Sequence, residues 1–334
     1  METGDGDLQV LDLVPLTGGY SLFTARFTAV TATGRSDYVL RADPPGDAAL
    51  TQTDRQREWA LLNALTTCGG VPMPDAKWAD IDGRHLGTPA IVLDFVDGPQ
   101  LLGHLQSADS STQTDLALQL ASTIGAVHRL GAAAAPSCFE QPSSWGDYID
   151  GFIAGWRQVE AAHVEHSPFI RWVASWLDTH RPPPAPLTLV HGEFQTGNVM
   201  IGPDGEMQVI DWEYSHIGDP RVDLGWIQNV AAFSPPDPIA LDPIGFCARY
   251  CEVTGLSEEI INPLTVGWFS ILAGYKALGG LLQGISAMAT GQNRLITSAY
   301  LVSAMPFSHR MWRQGVAGME AAMAAMETQL EAVS

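Results

Sequence analysis

Alternation of apolar and polar residues is clearest near the start of the chain. Phe23, Ala25, Phe27 and Ala29 alternate with Thr24, Arg26 and Thr28, the two-residue period of a strand with one buried face. Thr33-Gly34-Arg35 supplies a turn, and Tyr38 to Ala42 reads as the returning strand. Pro44-Pro45-Gly46 ends it. Arg55 to Leu65 then reads as a helix, with Glu58, Leu62 and Leu65 on one face. Ala90 to Phe95 is a short apolar run expected to be a strand, closed by Asp97-Gly98-Pro99.

Beyond Gly98 the period changes to that of helices. The pattern predicts helices over Thr114–Leu130, Trp145–Ala162, Pro168–Thr179, Val222–Ala232, Pro243–Thr254 and a long segment after Leu264. Met319, Met323, Met326 and Leu330 recur at helical spacing, the mark of a core face. One β signal interrupts the helices, between Val199 and Ile210, and Pro182-Pro183-Pro184 reads as a stiff connector. The fold class expected is therefore α+β. A small β-rich lobe spans 1–97, a hinge lies near Asp94 to Gly98, and a larger, mostly helical lobe spans 98–334.

Composition narrows the functions open to such a chain. Its 334 residues suit a two-lobed protein, and 46% hydrophobic residues suffice for packed cores. Thirty-seven acids against 17 bases give a formal charge of −20. That argues against nucleic acid and against anionic membrane surfaces as partners. Cys247 and Cys251 are four apart in a helical stretch, but no His or Cys nearby completes a tetrahedral metal site. Buried free thiols, and an amino terminus without a basic and apolar leader, point to a cytoplasmic setting. The most apolar stretch, Leu264 to Ala289, carries Lys276, Tyr275 and Gln283, which favours a buried helix over a membrane span.

The candidate chemistry lies in His191-Gly192-Glu193-Phe194-Gln195-Thr196-Gly197-Asn198 and in Asp211-Trp212-Glu213. Pro203-Asp204-Gly205-Glu206 between them is a hairpin turn signature. With Asp204-Gly205 as the two turn residues, outward counting sets Asn198 opposite Asp211. An amide oxygen and a carboxylate would then meet at the open end of the hairpin, hard ligands of the kind magnesium takes. Glu193, just before, is placed to reach an incoming hydroxyl.

The first block resembles the His-Gly-Asp-x-x-x-x-Asn signature of aminoglycoside phosphotransferases, choline kinases and related small-molecule kinases. Ile210-Asp211-Trp212-Glu213 is similar to their metal-binding segment, and Gly218-Asp219-Pro220 with Asp223-Leu224 to the stretch that follows. Over residues 10 to 300 the chain resembles the kinase domains fused to some acyl-CoA dehydrogenases. The resemblance implies a protein-kinase-like fold and transfer of the γ-phosphate of ATP or GTP to a hydroxyl of a small molecule. It implies Asn198 and Asp211 as magnesium ligands, Glu193 at the catalytic-base position, and His191 as an orienting residue. Asp219 is expected to cap a helix and Asp223 to be structural. The family usually has Asp where this chain has Glu193, which leaves room for a nucleotide-binding pseudokinase without efficient turnover.

In the first lobe, Thr17-Gly18-Gly19-Tyr20-Ser21 would let backbone N–H groups approach phosphates, with Gly18, Gly19 and Ser21 as the binding residues, although a plain turn explains the glycines equally well. Arg41 stands where the relatives carry a basic residue over the phosphates. Glu58, an acid on an apolar helix face, needs a partner, and Arg41 is the natural one. Backbone groups of Asp94 and Val96 would hold the base. Trp212-Glu213 after Asp211, in place of Phe-Gly, and the lack of an Ala-Pro-Glu segment speak against a protein kinase. A metal-dependent hydrolase built on Asp211, Asp219 and Asp223 would lack the usual paired histidines. Among acceptors, the resemblance favours a neutral or anionic metabolite such as a hydroxyacyl thioester. The acidic surface leans toward cationic aminoglycosides.

Overall fold

The first half of the chain builds a sheet from the predicted strand pair outward. In a computed structural model, which describes residues 9–16, 23–32, 34–43, 54–163, 168–274, 310, 312–325 and 328, β1 (Gln9–Pro15), β2 (Phe23–Thr31), β3 (Gly34–Ala42), β4 (Ala76–Asp80) and β5 (Ala90–Asp94) are all antiparallel. Their order is β1-β2-β3-β5-β4. The alternation in β2 is not clean. Ala25 and Ala29 are buried, but so is Thr28, while Phe27 is only half-buried. The reason lies across the ladder: Thr28 Oγ1 donates to Asp37 Oδ1 at 2.5 Å, and Arg26 Nη2 donates to Asp37 Oδ2 at 2.5 Å.

Helix α1 (Arg55–Cys68) starts at Asp54, whose side chain accepts the Arg57 N–H at 3.0 Å, and ends at Gly69. Its buried face carries Leu61, Leu62 and Leu65, and also Arg55 and Glu58. The chain continues through α2 (Leu101–Ser107), α3 (Ser110–Arg129), α4 (Trp145–His163) and α5 (Pro168–Thr179). Four three-residue strands follow: β6 (Thr188–Val190), β7 (Val199–Ile201), β8 (Met207–Val209) and β9 (His216–Gly218). Then come α6 (Arg221–Ala231), α7 (Pro238–Leu241) and α8 (Pro243–Thr254), and helical residues 263–274 and 312–325.

The chain divides into two compact units. The first comprises Met1–His104, Leu130–Glu140 and His191–His216, so it holds the five-stranded sheet, α1 and the β7–β8 hairpin. That hairpin corrects the expected register. Val199 pairs with Val209, Met200 with Gln208 and Ile201 with Met207, and Gly202 N–H donates to Glu206 O at 2.9 Å. The turn thus holds three residues, Pro203, Asp204 and Gly205, with Gly205 at φ 83. A left-handed glycine closing a three-residue loop is a standard alternative to the two-residue turn. The extra residue slides the ladder by one step. Asn198 therefore stands beside Ile210, whose N–H donates to its carbonyl at 2.9 Å, and not opposite Asp211. Asp211 leaves the ladder in the left-handed region, at φ 71.

The second unit, Leu105–Arg129, Gln141–Val190 and Ile217–Ser334, is mostly helical where described. Its core joins α4, α5, α6 and the helical residues 263–274 and 312–325 through Ile149, Val173, Leu177, Val222, Phe269 and Trp312. Met319 and Met323 pack against this core, whereas Met326, Leu330 and the part of the apolar stretch beyond Gly274 fall outside the described residues. No described helix is long and apolar enough to cross a membrane. Two acids of the motif are structural within this unit. The Asp219 carboxylate accepts from Arg221 N, Nε and Nη2 at 2.8, 3.0 and 2.7 Å and from Trp145 Nε1 at 2.6 Å. Asp223 Oδ2 lies 3.0 Å from His128 Nε2, whose Nδ1 meets the Tyr250 hydroxyl at 2.6 Å. Helix α6 begins at Arg221, so its cap position is held by Pro220 and not by the expected Asp219, whose carboxylate instead accepts the Arg221 N–H from one residue earlier.

Close packing in this unit makes a stability prediction. A Cβ on Gly225 would lie 2.3 Å from the backbone carbon of Phe269, a clash with main chain that no rotamer relieves. Overpacking of a core costs about 1–3 kcal/mol. Gly225→Ala is expected to lower the midpoint of thermal unfolding clearly. An unchanged midpoint in calorimetry would show that the two helices separate without cost.

Candidate active site

Two neighbouring backbone features bring the chemistry of the first unit together. β3 carries Arg41, set opposite Ile91 of β5. The segment after β8 delivers Asp211 at its left-handed turn, followed by Trp212 and Glu213. His191 steadies this segment. Its Nε2–H donates to Ile210 O at 2.9 Å while Nδ1 accepts the Glu193 N–H at 3.3 Å, which assigns the tautomer from the network. Ser215 Oγ donates to Trp212 O at 2.8 Å, and Trp212 Nε1 to Val209 O at 3.0 Å.

The centre is a network of buried charge. Arg41 Nη1 donates to Glu58 Oε1 at 2.7 Å and Nη2 donates to Asp211 Oδ1. Arg55, one turn before Glu58 on α1, donates from Nε to Asp43 Oδ1 at 2.7 Å, from Nη1 to Glu58 Oε2, and from Nη2 to Glu213 Oε2 at 3.1 Å. The side chains of Glu58, Arg55 and Glu213 are each 2% exposed, whereas that of Asp211 is 28% exposed. Burial by itself lowers the pKa of Arg41 and of Arg55. Their carboxylate neighbours more than reverse this, and both end above the ordinary arginine value. Glu213 is shifted up, first by burial and then by Asp211, with Arg41 and Arg55 pulling the other way. Four carboxylates against two guanidiniums leave two formal negative charges, the charge of one divalent cation.

A cavity of about 430 Å³ opens beside this network. Leu16, Val39, Leu93, Phe95, Met200 and Ile210 give it an apolar lining, and Arg41, Asp94, Asn198 and Asp211 a polar one. Val96 also lines it. The Asp94 and Phe95 N–H groups are taken by Asp75 O at 3.0 Å and Asp37 O at 3.1 Å, and the Asp94 carboxylate is held by Lys77 at 2.8 Å. Among the described residues, the Val96 N–H has no acceptor.

Of the residues singled out in the sequence, Arg41, Asp94, Val96, Asn198 and Asp211 line one cavity, and Glu58 reaches it through Arg41. Carboxylate oxygens of Glu193, Asp211 and Glu213 lie within 4.8 Å of one another. Gly18, Gly19 and Ser21 lie outside the described residues. Arg55 was not singled out, and Glu213 was named only within the segment after Asp211, with no role of its own. The signal for Arg55 was present, since it falls three residues before Glu58 and so on the same helix face.

The donor set fits a hard divalent cation. Asn198 Nδ2 donates to Glu193 O at 3.1 Å, which leaves its Oδ1 for ligation, and the Asp211 carboxylate opens on the same cavity.

The model of the phosphotransferase enzyme family matches residues 12–255. Among curated proteins, mouse acyl-CoA dehydrogenase family member 10 is 28% identical over 196 residues, covering 56% of this chain. The chain spans only 18% of that relative's length. A solved structure of a proposed aminoglycoside phosphotransferase from Ralstonia eutropha superposes with a TM-score of 0.71 at 21% identity, covering 93% of each chain. The GDP complex of aminoglycoside 2'-phosphotransferase-IIIa does so with a TM-score of 0.63 at 16% identity, covering 92% of this chain and 95% of that one. These likenesses give the chain a kinase-like fold. With the family model spanning most of the sequence, the chain belongs to the phosphotransferase enzyme family.

Proposed function

We propose that this protein is a magnesium-dependent phosphotransferase that moves the γ-phosphate of ATP or GTP to a hydroxyl of a small, neutral or anionic acceptor, a hydroxyacyl thioester being the favoured class. The observation that carries this reading is the cavity on which Arg41, Asn198 and Asp211 converge. Its apolar lining suits a planar base, and the Asp94 carbonyl with the Val96 N–H suits that base's polar edge. Arg41, oriented by Glu58, offers guanidinium donors to phosphate oxygens. Asn198 and Asp211 would hold magnesium, which when bound neutralises charge on the transferring group. Glu193 accepts the proton of the acceptor hydroxyl as its oxygen bonds to the γ-phosphorus and the bond to the nucleoside diphosphate breaks. Residues 1–97 form the nucleotide-binding lobe in this reading and 98–334 the catalytic and acceptor lobe. The four free cysteines fit a reducing, cytoplasmic setting.

The acceptor class follows from the likeness to a dehydrogenase-linked relative. The test is a panel of hydroxyacyl-CoA thioesters and aminoglycosides, each with ATP or GTP at fixed magnesium, read by mass spectrometry of the product. Phosphorylated hydroxyacyl thioesters are the expected result. Phosphorylation confined to aminoglycosides overturns the acceptor class alone. Tight nucleotide binding with no product from any acceptor, even at high enzyme concentration, would favour the pseudokinase reading that Glu193 keeps open.

A further inference from the structure

Arg41 has two jobs in the network, and they pull in different directions. One nitrogen serves Glu58, at 2.7 Å, and the other serves Asp211. Arg55 already supplies the second oxygen of Glu58 and, at 3.1 Å, Glu213. Asp211 differs from those two acids. It is 28% exposed where they are 2% exposed, and among the described residues its ion-pair partner is Arg41 alone. A guanidinium and a divalent cation compete for one carboxylate, because each draws on the same negative charge and two positive groups at contact distance repel.

We propose that Arg41 gates the metal carboxylate, so that the divalent cation is admitted together with nucleotide and not ahead of it. The proposal rests on the reading of Asp211 as a metal ligand. Phosphate oxygens arriving in the cavity compete for the Arg41 nitrogen that holds Asp211. Once they take it, Asp211 is released to the cation, while Glu58 keeps the arginine in place. Coupling of this kind is reciprocal, so the cation also tightens the hold on nucleotide. The device needs the fork of an arginine. A lysine offers one nitrogen and cannot bridge Glu58 and Asp211 in the same way.

The test measures Mn2+ binding to the full chain without nucleotide, by electron paramagnetic resonance of the free ion. Arg41→Lys keeps a cation beside Glu58 but gives up the bridge, and is expected to bind Mn2+ about tenfold more tightly than wild type, within the usual range of site-to-site coupling. Its affinity for nucleotide in EDTA is expected to fall. These opposite signs are the signature, since general loosening of the site weakens both. Arg41→Gln, which retains a hydrogen-bond donor for Glu58 without the charge, carries the same expectation should the lysine variant misfold. Asp211→Ala supplies the reference. Mn2+ binding that is lost in Asp211→Ala but not raised in either Arg41 variant overturns the gate and leaves the metal assignment standing. Mn2+ binding that survives Asp211→Ala overturns both.

Discussion

Asp211→Ala is expected to cut turnover by about a thousandfold or more while leaving the fold intact. The carboxylate faces the cavity beside Asn198 and is more than a quarter exposed, so its removal opens no apolar void. What goes is the charge that would anchor the metal. Loss of such an electrostatic clamp on a transferring group commonly costs several kcal/mol of transition-state stabilisation. Steady-state turnover alongside thermal unfolding separates the two effects. Near-wild-type turnover in a folded variant would remove Asp211 from the metal site and with it the carrying observation of the proposed function.

Glu193→Gln has the second-largest expected effect, a loss of about 10²–10⁴ in turnover, the usual worth of a positioned base. Nucleotide affinity should move little, because Glu193 is not among the residues lining the cavity. The substitution keeps shape and removes only the proton acceptor. Glu193→Asp asks a different question. It shortens the reach by one carbon–carbon bond, about 1.5 Å, and misplacement by about 1 Å can cost about a hundredfold. If the site is fitted to glutamate, the aspartate variant is slower than wild type even though aspartate is the commoner residue in the resembling families. Equal turnover in wild type and Glu193→Gln would remove the residue from the chemistry.

The longer helices were legible because their apolar faces repeat over three or more turns, while α2 and α7, at seven and four residues, went unread. Pro168–Thr179 and Pro243–Thr254 coincide with α5 and α8, and the other predicted helices through Val222–Ala232 differ from α1, α3, α4 and α6 by no more than four residues at either end. Strands β4, β6 and β9 went unread: at three to five residues, they are too short for a period of two to declare itself. The hairpin was recognised but its register was not, since Asp204-Gly205 serves a two-residue turn and a three-residue one equally well, and only the backbone at Gly205 decides. In the site, an acid on an apolar face announced Glu58. Arg55 on that face gave a weaker signal, because a long aliphatic stem with a charged tip usually snorkels to solvent. Its burial depends on Asp43 and Glu213, far apart in sequence, which no local pattern contains.

The sharing of two guanidiniums among four carboxylates also constrains how this protein can diverge. Arg55 is 2% exposed and serves Asp43, Glu58 and Glu213, so replacing it alone strands negative charge in the interior, at a cost of about 3–5 kcal/mol. That is a large part of the whole stability of a typical domain. The outer pair of Arg26 and Asp37, at 40% and 31% exposed, is free of this restriction and can be lost one partner at a time. Descendants that lose Arg55 are therefore expected to lose a carboxylate of the inner set with it, Glu213 first, since Arg55 at 3.1 Å is nearer to it than Arg41 at 3.9 Å.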